Sequence, residues 1–382
     1  MTGGKSTMKT VSIQEVRDRV EVYGRSYYDE TEKVLYSNYT CGSWEVRFKG
    51  TFLAVNFSVI PDTFVPPIAL PPGKELPQKK DWPWISVFLD GEEEAYQKLP
   101  VRGETASVML ICSEQEEEHI IRIVKLTENF RTALGISGFC MEGELMAYQA
   151  PEKEVIEFIG DSITCGFGND TREVNRDFYT ADEDGYLSYG AIAARELGLE
   201  SRFISVSGIS LTAMPNMQGF YGMMDLYAYA DRILEDKLAE KRKEKISSYR
   251  PFDFTKKPAR YVVLNLGTND GTQIYFCPEE EKEQAERNFE KNYYDFIASI
   301  REKNKEETKI ICTLGCMDYY LYDNIRKIVE RFKKDTKDPF LYLMKYTKMM
   351  NMGEDVGAAF HPSVAKHKKM ARELVKFIRK LS

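Results

Sequence analysis

The sequence predicts two domains of different class: an all-β sandwich over residues 1–150 and a doubly wound α/β domain with a parallel sheet over residues 151–382. Three observations predict it. Apolar residues alternate with period two through the first part of the chain, between turn residues. From residue 151 short apolar runs alternate with amphipathic helical stretches. A chain of 382 residues also exceeds the roughly 250–300 at which one hydrophobic core stops growing.

The β part reads, in order, as VEVYGRSYY, VLYSN, SWEVRFKGTFLAVNFSV, WPWISVFLDGEE, YQKLPV, ASVMLIC, EEHIIRIVKLTE and ALGISGFCMEG. LDG at 89–91 and KG at 49–50 have the chemistry of turns between strands, since Gly admits positive φ. The Pro-rich stretch IPDTFVPPIALPPGKELPQKKDWPW cannot be a central strand and is predicted to be a long loop.

In the α/β part the predicted strands are 155–159, 203–207, 261–266, 309–314 and 340–346. Helices are predicted over 187–198, over an interrupted region near 221–246, over 278–304, over 321–334 and from about Val364 to Lys380. The third begins well, because Pro278 tolerates a helix start and Glu279, Glu280 and Glu281 favour the positive end of the dipole. The mixed charges of 235–245 recur at helical spacing and mark a solvated face.

Composition narrows the function. Lys and Arg number 53 against 60 Asp and Glu, a formal charge of −7, and no long basic stretch offers itself to a phosphate backbone, so nucleic acid is not an expected partner. No apolar run approaches the 18 residues of a membrane span, and the first residues lack an apolar leader core, so the expectation is a soluble, cytoplasmic chain. A homo-oligomer is left open. Seven irregularly spaced cysteines suit reduced thiols, with Cys312 and Cys316 as packing residues. Three histidines leave few ligands for zinc, and no metal or cofactor is expected.

In open α/β sheets ligands bind beyond the carboxyl ends of the strands. The residues there are Gly160-Asp161-Ser162 after the first strand, Ser207-Gly208-Ile209-Ser210 after the second, Gly267-Thr268-Asn269-Asp270 after the third, and His361-Pro362-Ser363 before the last helix. GDS alone reads as a turn and helix cap. The four blocks in this order resemble the SGNH (GDSL) hydrolase superfamily, whose signature residues correspond to Ser162, Gly208, Asn269 and His361. That resemblance implies a flavodoxin-like sheet and ester hydrolysis. Ser162 would attack the carbonyl and His361 would take its proton. Ser162, Gly208 and Asn269 would supply the oxyanion hole. Of the other histidines, His119 lies on a β face and His367 on the last helix, where it would at most support the site.

One position departs from the superfamily pattern. Most members carry an Asp three residues before the His, and here that residue is Ala358; Asp355 and Glu354 lie further upstream. The expectation is a Ser-His dyad in which a backbone carbonyl accepts the imidazole Nδ1–H. A β domain ahead of an SGNH domain is similar to carbohydrate esterase family 2, which pairs a jelly-roll sandwich with the hydrolase domain and deacetylates xylans and mannans. GSWEVRFKGTFLAVNF, HIIRIVKLTE, GISLTAMP and HPSVAKHKKMA carry this resemblance, and several members also dispense with the acid.

The resemblance therefore implies an acetylated oligosaccharide or polysaccharide as substrate. Trp82, Trp84, Phe178, Tyr179 and Tyr319 are candidate sugar contacts, and Met214 and Phe360 candidate walls of the acyl pocket. Two rival readings use the same residues: a lipolytic thioesterase or lysophospholipase with an extended acyl channel, and a carbohydrate-binding protein whose esterase centre has decayed.

Overall fold

The computed structural model describes residues 7–64, 79–171, 173–174, 178–213, 221–350 and 352–381. The Pro-rich loop, for its greater part, and Met214 lie outside the described residues.

Three long strands, Ser43–Ile60, Thr105–Lys125 and Ala133–Met146, run through the middle of a nine-stranded antiparallel sheet. Ser43–Ile60 pairs along its length with both of the others. Inward residues from all three, among them Trp44, Phe48, Phe57, Ile121 and Phe139, enclose one apolar core.

The Lys49–Gly50 turn expected from the sequence does not form: both residues lie inside the strand Ser43–Ile60. Its pairing register shifts there against both neighbours, between Cys112 and Glu117 on one and between Glu142 and Gly143 on the other. Gly50 serves a close approach and not a turn, since a Cβ on it would stand 2.1 Å from the Glu142 carbonyl oxygen. Asp90 and Gly91, in contrast, do turn the chain, with φ of 52° and 79°.

The α/β part is a five-stranded parallel sheet of Val155–Gly160, Glu200–Ser205, Ala259–Asn265, Lys309–Thr313 and Leu341–Leu343. Counted along the chain, its order is 2-1-3-4-5, the flavodoxin-like arrangement. Both faces are buried. Ile159 and Leu264 pack towards helices Glu279–Lys303 and Tyr322–Thr336, and Phe158 and Val263 towards Tyr189–Glu196 and Val364–Ile378. Cys312 and Cys316 are both buried in these cores.

The fifth strand is shorter than its apolar run, and a helix over Thr268–Phe276 was not foreseen. The interrupted helical region resolves into Met223–Leu226 and Arg232–Arg242. The break has a tertiary cause: Arg25 of the β part, 1% exposed, donates to the carbonyls of Tyr227 and Tyr229, each at 2.6 Å. Its guanidinium also faces Glu157 on the first parallel strand at 3.4 Å, which ties the two parts through a buried ion pair.

Candidate active site

The first parallel strand is buried at every position and ends in a tight turn into a one-turn helix, Ser162–Cys165. Gly160 permits the turn, since a Cβ there would overlap the Thr164 side chain at 2.0 Å. Asp161 caps the helix by accepting the Ile163 N–H at 3.0 Å, and Gly166 ends it at φ 84°. Burial pushes the Asp161 carboxyl up to about 7, opposed by that backbone bond. Ser162 is thereby presented at the carboxyl edge of the sheet, beside the point where strand order reverses.

His361 arrives on the loop before the last helix. Its Nε2 lies 2.9 Å from Ser162 Oγ, and its Nδ1 lies 3.0 Å from the carbonyl oxygen of Ala359. That second contact requires an uncommon backbone: Ala359 and Phe360 both adopt left-handed φ, 46° and 59°. Each such residue costs roughly 1–2 kcal/mol outside glycine. The turn is held against the loop that follows Ser162, with Ala358 N–H on the Gly168 carbonyl at 2.8 Å and Val364 N–H on the Asn169 carbonyl at 3.1 Å.

No carboxylate meets His361 among the described residues. Asp355 and Glu354 each accept from Lys369 at 2.7 Å, and Ala358 is fully buried. Burial lowers the His361 pKa to about 4, opposed by the hydrogen bond to the Ala359 carbonyl. The ring of Phe167 packs 4.5 Å from the imidazole, and Phe178 stacks on Phe167 at 3.8 Å.

The candidate oxyanion residues Gly208 and Asn269 follow the ends of the second and third strands. Gly208 has φ 77°, and a Cβ on it would meet nothing within 4 Å, so its requirement is conformational. Among the described residues, the N–H groups of Ser162 and Gly208 donate to no protein acceptor. Asn269 spends one amide hydrogen on the Ile209 carbonyl at 2.8 Å and retains the other. Next to it Asp270 accepts the Leu211 N–H at 3.1 Å, and burial pushes its carboxyl up to about 6. N–H donors without a protein acceptor are the kind of group that a developing negative charge on an attacked carbonyl needs.

The remaining candidates are distributed differently. Trp82 is half-buried against the core of the β part, and Trp84 against the catalytic core on the side of the last helix. Asp81 accepts both the backbone N–H and the hydroxyl of Thr180, at 2.7 and 2.6 Å, which anchors the segment carrying Phe178 and Tyr179. Tyr319 is half-buried and donates to the Tyr346 carbonyl. Phe360 is 55% exposed beside His361. His119 lies between Asp90 and Glu117 at 2.7 and 3.2 Å, and His367 is fully buried, accepting the Tyr189 N–H at 3.0 Å. Sequence reading missed Glu128, whose Oε2 accepts the Ser207 N–H at 2.7 Å from the β part. No local pattern marks it.

Residues 156–374 match the family of GDSL-like lipases/acylhydrolases. Over 301 residues the chain is 31% identical to a cellulase/esterase, CelE, of Acetivibrio thermocellus, covering 76% of this chain and 33% of that protein. An acetylxylan esterase/glucomannan deacetylase of Cellvibrio japonicus is 23% identical over 226 residues, 56% of this chain and 58% of that one. The chain thus spans about a third of the first relative and under two thirds of the second. A family two carbohydrate esterase from Clostridium thermocellum, solved with cellohexaose, superimposes with a TM-score of 0.76 at 25% identity, over 94% of this chain and 98% of that one. The chain therefore belongs to the GDSL-like lipase/acylhydrolase family, in the company of the family 2 carbohydrate esterases.

Proposed function

We propose that the chain is a serine esterase that removes O-acetyl groups from xylan- or mannan-type oligosaccharides through a Ser162–His361 dyad. The observation that carries the reading is the pair of contacts on one imidazole, Nε2 to Ser162 Oγ at 2.9 Å and Nδ1 to the Ala359 carbonyl at 3.0 Å. The carbonyl selects the tautomer with hydrogen on Nδ1, which leaves Nε2 free to accept the serine proton.

Ser162 Oγ attacks the acetyl carbonyl while His361 Nε2 takes its proton. The oxyanion is met by the Ser162 and Gly208 N–H groups and the free Asn269 amide hydrogen. Collapse gives the acetyl-serine, and His361 returns the proton to the departing sugar hydroxyl. Water then repeats the sequence and releases acetate. The substrate class rests on the relatives, which include an acetylxylan esterase/glucomannan deacetylase. A cytoplasmic enzyme of this kind would act on imported oligosaccharides, a reading removed by finding the native protein in the culture medium.

The test is acetate release from acetylated xylo- and manno-oligosaccharides by wild type and Ser162→Ala, with p-nitrophenyl acetate and octanoate as controls. Release by wild type and its loss in the variant is the expected result. Strong octanoate hydrolysis with no sugar deacetylation would move the function to lipids or thioesters, and glycan binding without turnover would make this a binding protein. Asp355→Ala and Glu354→Ala are expected to keep turnover, because Lys369 already engages both carboxylates. Abolished turnover in either folded variant would remove the dyad.

A further inference from the structure

Glu128 belongs to the connection between the strands Thr105–Lys125 and Ala133–Met146 of the antiparallel sheet, yet its side chain is fully buried against the catalytic domain. Its Oε2 accepts the Ser207 N–H at 2.7 Å and lies 3.7 Å from Cys165 Sγ. Cys165 closes the one-turn helix that Ser162 opens, and Ser207 precedes Gly208. One carboxylate oxygen therefore touches both segments whose backbone N–H groups, at Ser162 and Gly208, have no protein acceptor among the described residues.

The connection bearing Glu128 is itself anchored. The Leu126 carbonyl accepts the Gly185 N–H at 2.8 Å, the Glu128 N–H donates to Glu183 Oε1 at 3.1 Å, and Lys125 Nζ donates to the carbonyls of Thr127 and Glu128 at 2.6 and 3.0 Å. Burial and the nearby Glu128 charge push the Glu183 carboxyl well above the usual range.

The loop after the second strand is then pinned on either side of Gly208. Val206 N–H lies on the Gly160 carbonyl at 3.2 Å, Ser207 N–H on Glu128, and the Ile209 carbonyl on Asn269 at 2.8 Å. We infer that Glu128 is a positioning residue for the oxyanion hole, so that the β domain contributes to ester hydrolysis by fixing the Ser207–Gly208 peptide against the nucleophile helix. The inference rests on the serine esterase reading and deepens it.

The test uses p-nitrophenyl acetate and the full chain, so that sugar specificity plays no part. Ser162→Ala in the same assay checks the esterase reading separately: if it keeps turnover, that reading fails, and if it loses turnover the Glu128 variants decide this one. Losing an oxyanion donor outright costs about 10²–10³ in kcat, and displacing one costs less. Glu128→Ala is expected to lower kcat about thirtyfold with KM within twofold, and to slow phosphonylation of Ser162 in proportion. Glu128→Gln keeps a neutral acceptor of the same shape and is expected to recover most of the loss. An Ala variant within threefold of wild type in kcat overturns the inference, as does an equal loss in Ala and Gln or a change confined to KM. Should Glu128→Ala not fold, Glu128→Asp, whose carboxylate is drawn back by one methylene, decides instead: wild-type kcat there overturns the inference, and a loss that Gln does not share supports it.

Discussion

The pH dependence of turnover is the sharpest consequence of the proposed dyad, whose base would face a carbonyl in place of a carboxylate. Burial lowers the His361 pKa from 6.5 to about 4. At 1.36 kcal/mol per unit, that is on the order of 3 kcal/mol against charging the ring. A general base must be neutral in the free enzyme, so kcat/KM should rise with pH through about 4 and be level from about 5.5 upward. With an unperturbed imidazole only about a tenth of the enzyme would be competent at pH 5.5; with the lowered value about 97% is. The assay is acetate release from p-nitrophenyl acetate as initial rates between pH 3.5 and 8, with activity recovered at pH 7 to exclude acid inactivation. An acid limb centred at pH 6 or above would refute the reasoning, because it would mean that burial does not hold the His361 imidazole below its ordinary range.

Three other outcomes follow from named contacts. Buried His367 is held neutral, its pKa lowered by burial to about 3. Unfolded His367 takes a proton below about 6.5, so this stability is complete above that pH and is lost at up to about 1.4 kcal/mol per unit as pH falls towards 3. His367→Asn should therefore show a shallower fall in unfolding free energy between pH 7 and 4 than wild type, and parallel curves in denaturant titrations would contradict it. Gly168→Ala adds a Cβ 2.8 Å from the Ala358 carbonyl oxygen at a φ of 64°; it should displace the His361 turn and lower kcat more than tenfold while the chain stays folded, checked by kinetics with thermal unfolding. Gly50→Ala sets a Cβ 2.1 Å from the Glu142 carbonyl oxygen, where neither backbone can yield, and should cost about 3 kcal/mol or more in denaturant unfolding with little change at the active site if the protein is still native.

Much of this architecture is legible in local pattern. Five strands buried on both faces read as apolar runs, and their carboxyl ends carry Gly160-Asp161-Ser162, Gly208, Asn269 and, from the last loop, His361. The replacement of the usual acid by Ala358 is also plain in the sequence. These features are visible because period and turn chemistry are local, and because strand ends define where a site can lie.

Tertiary structure alone decided the rest. Gly50 has the composition of a turn, but the approach of the Glu142 carbonyl makes it a bend within one strand, and pairing partners some ninety residues away cannot be read from neighbours. The left-handed turn at Ala359 and Phe360, which aims a carbonyl at His361, contradicts local preference and persists because Gly168 and Asn169 bind its flanks. Glu128 lies 79 residues from Ser207 in the chain and 2.7 Å from its N–H in space. The chain sequence marks which residues are candidates for the chemistry; long-range packing determines what holds those residues, since a buried hydrogen bond between distant segments leaves no periodic mark.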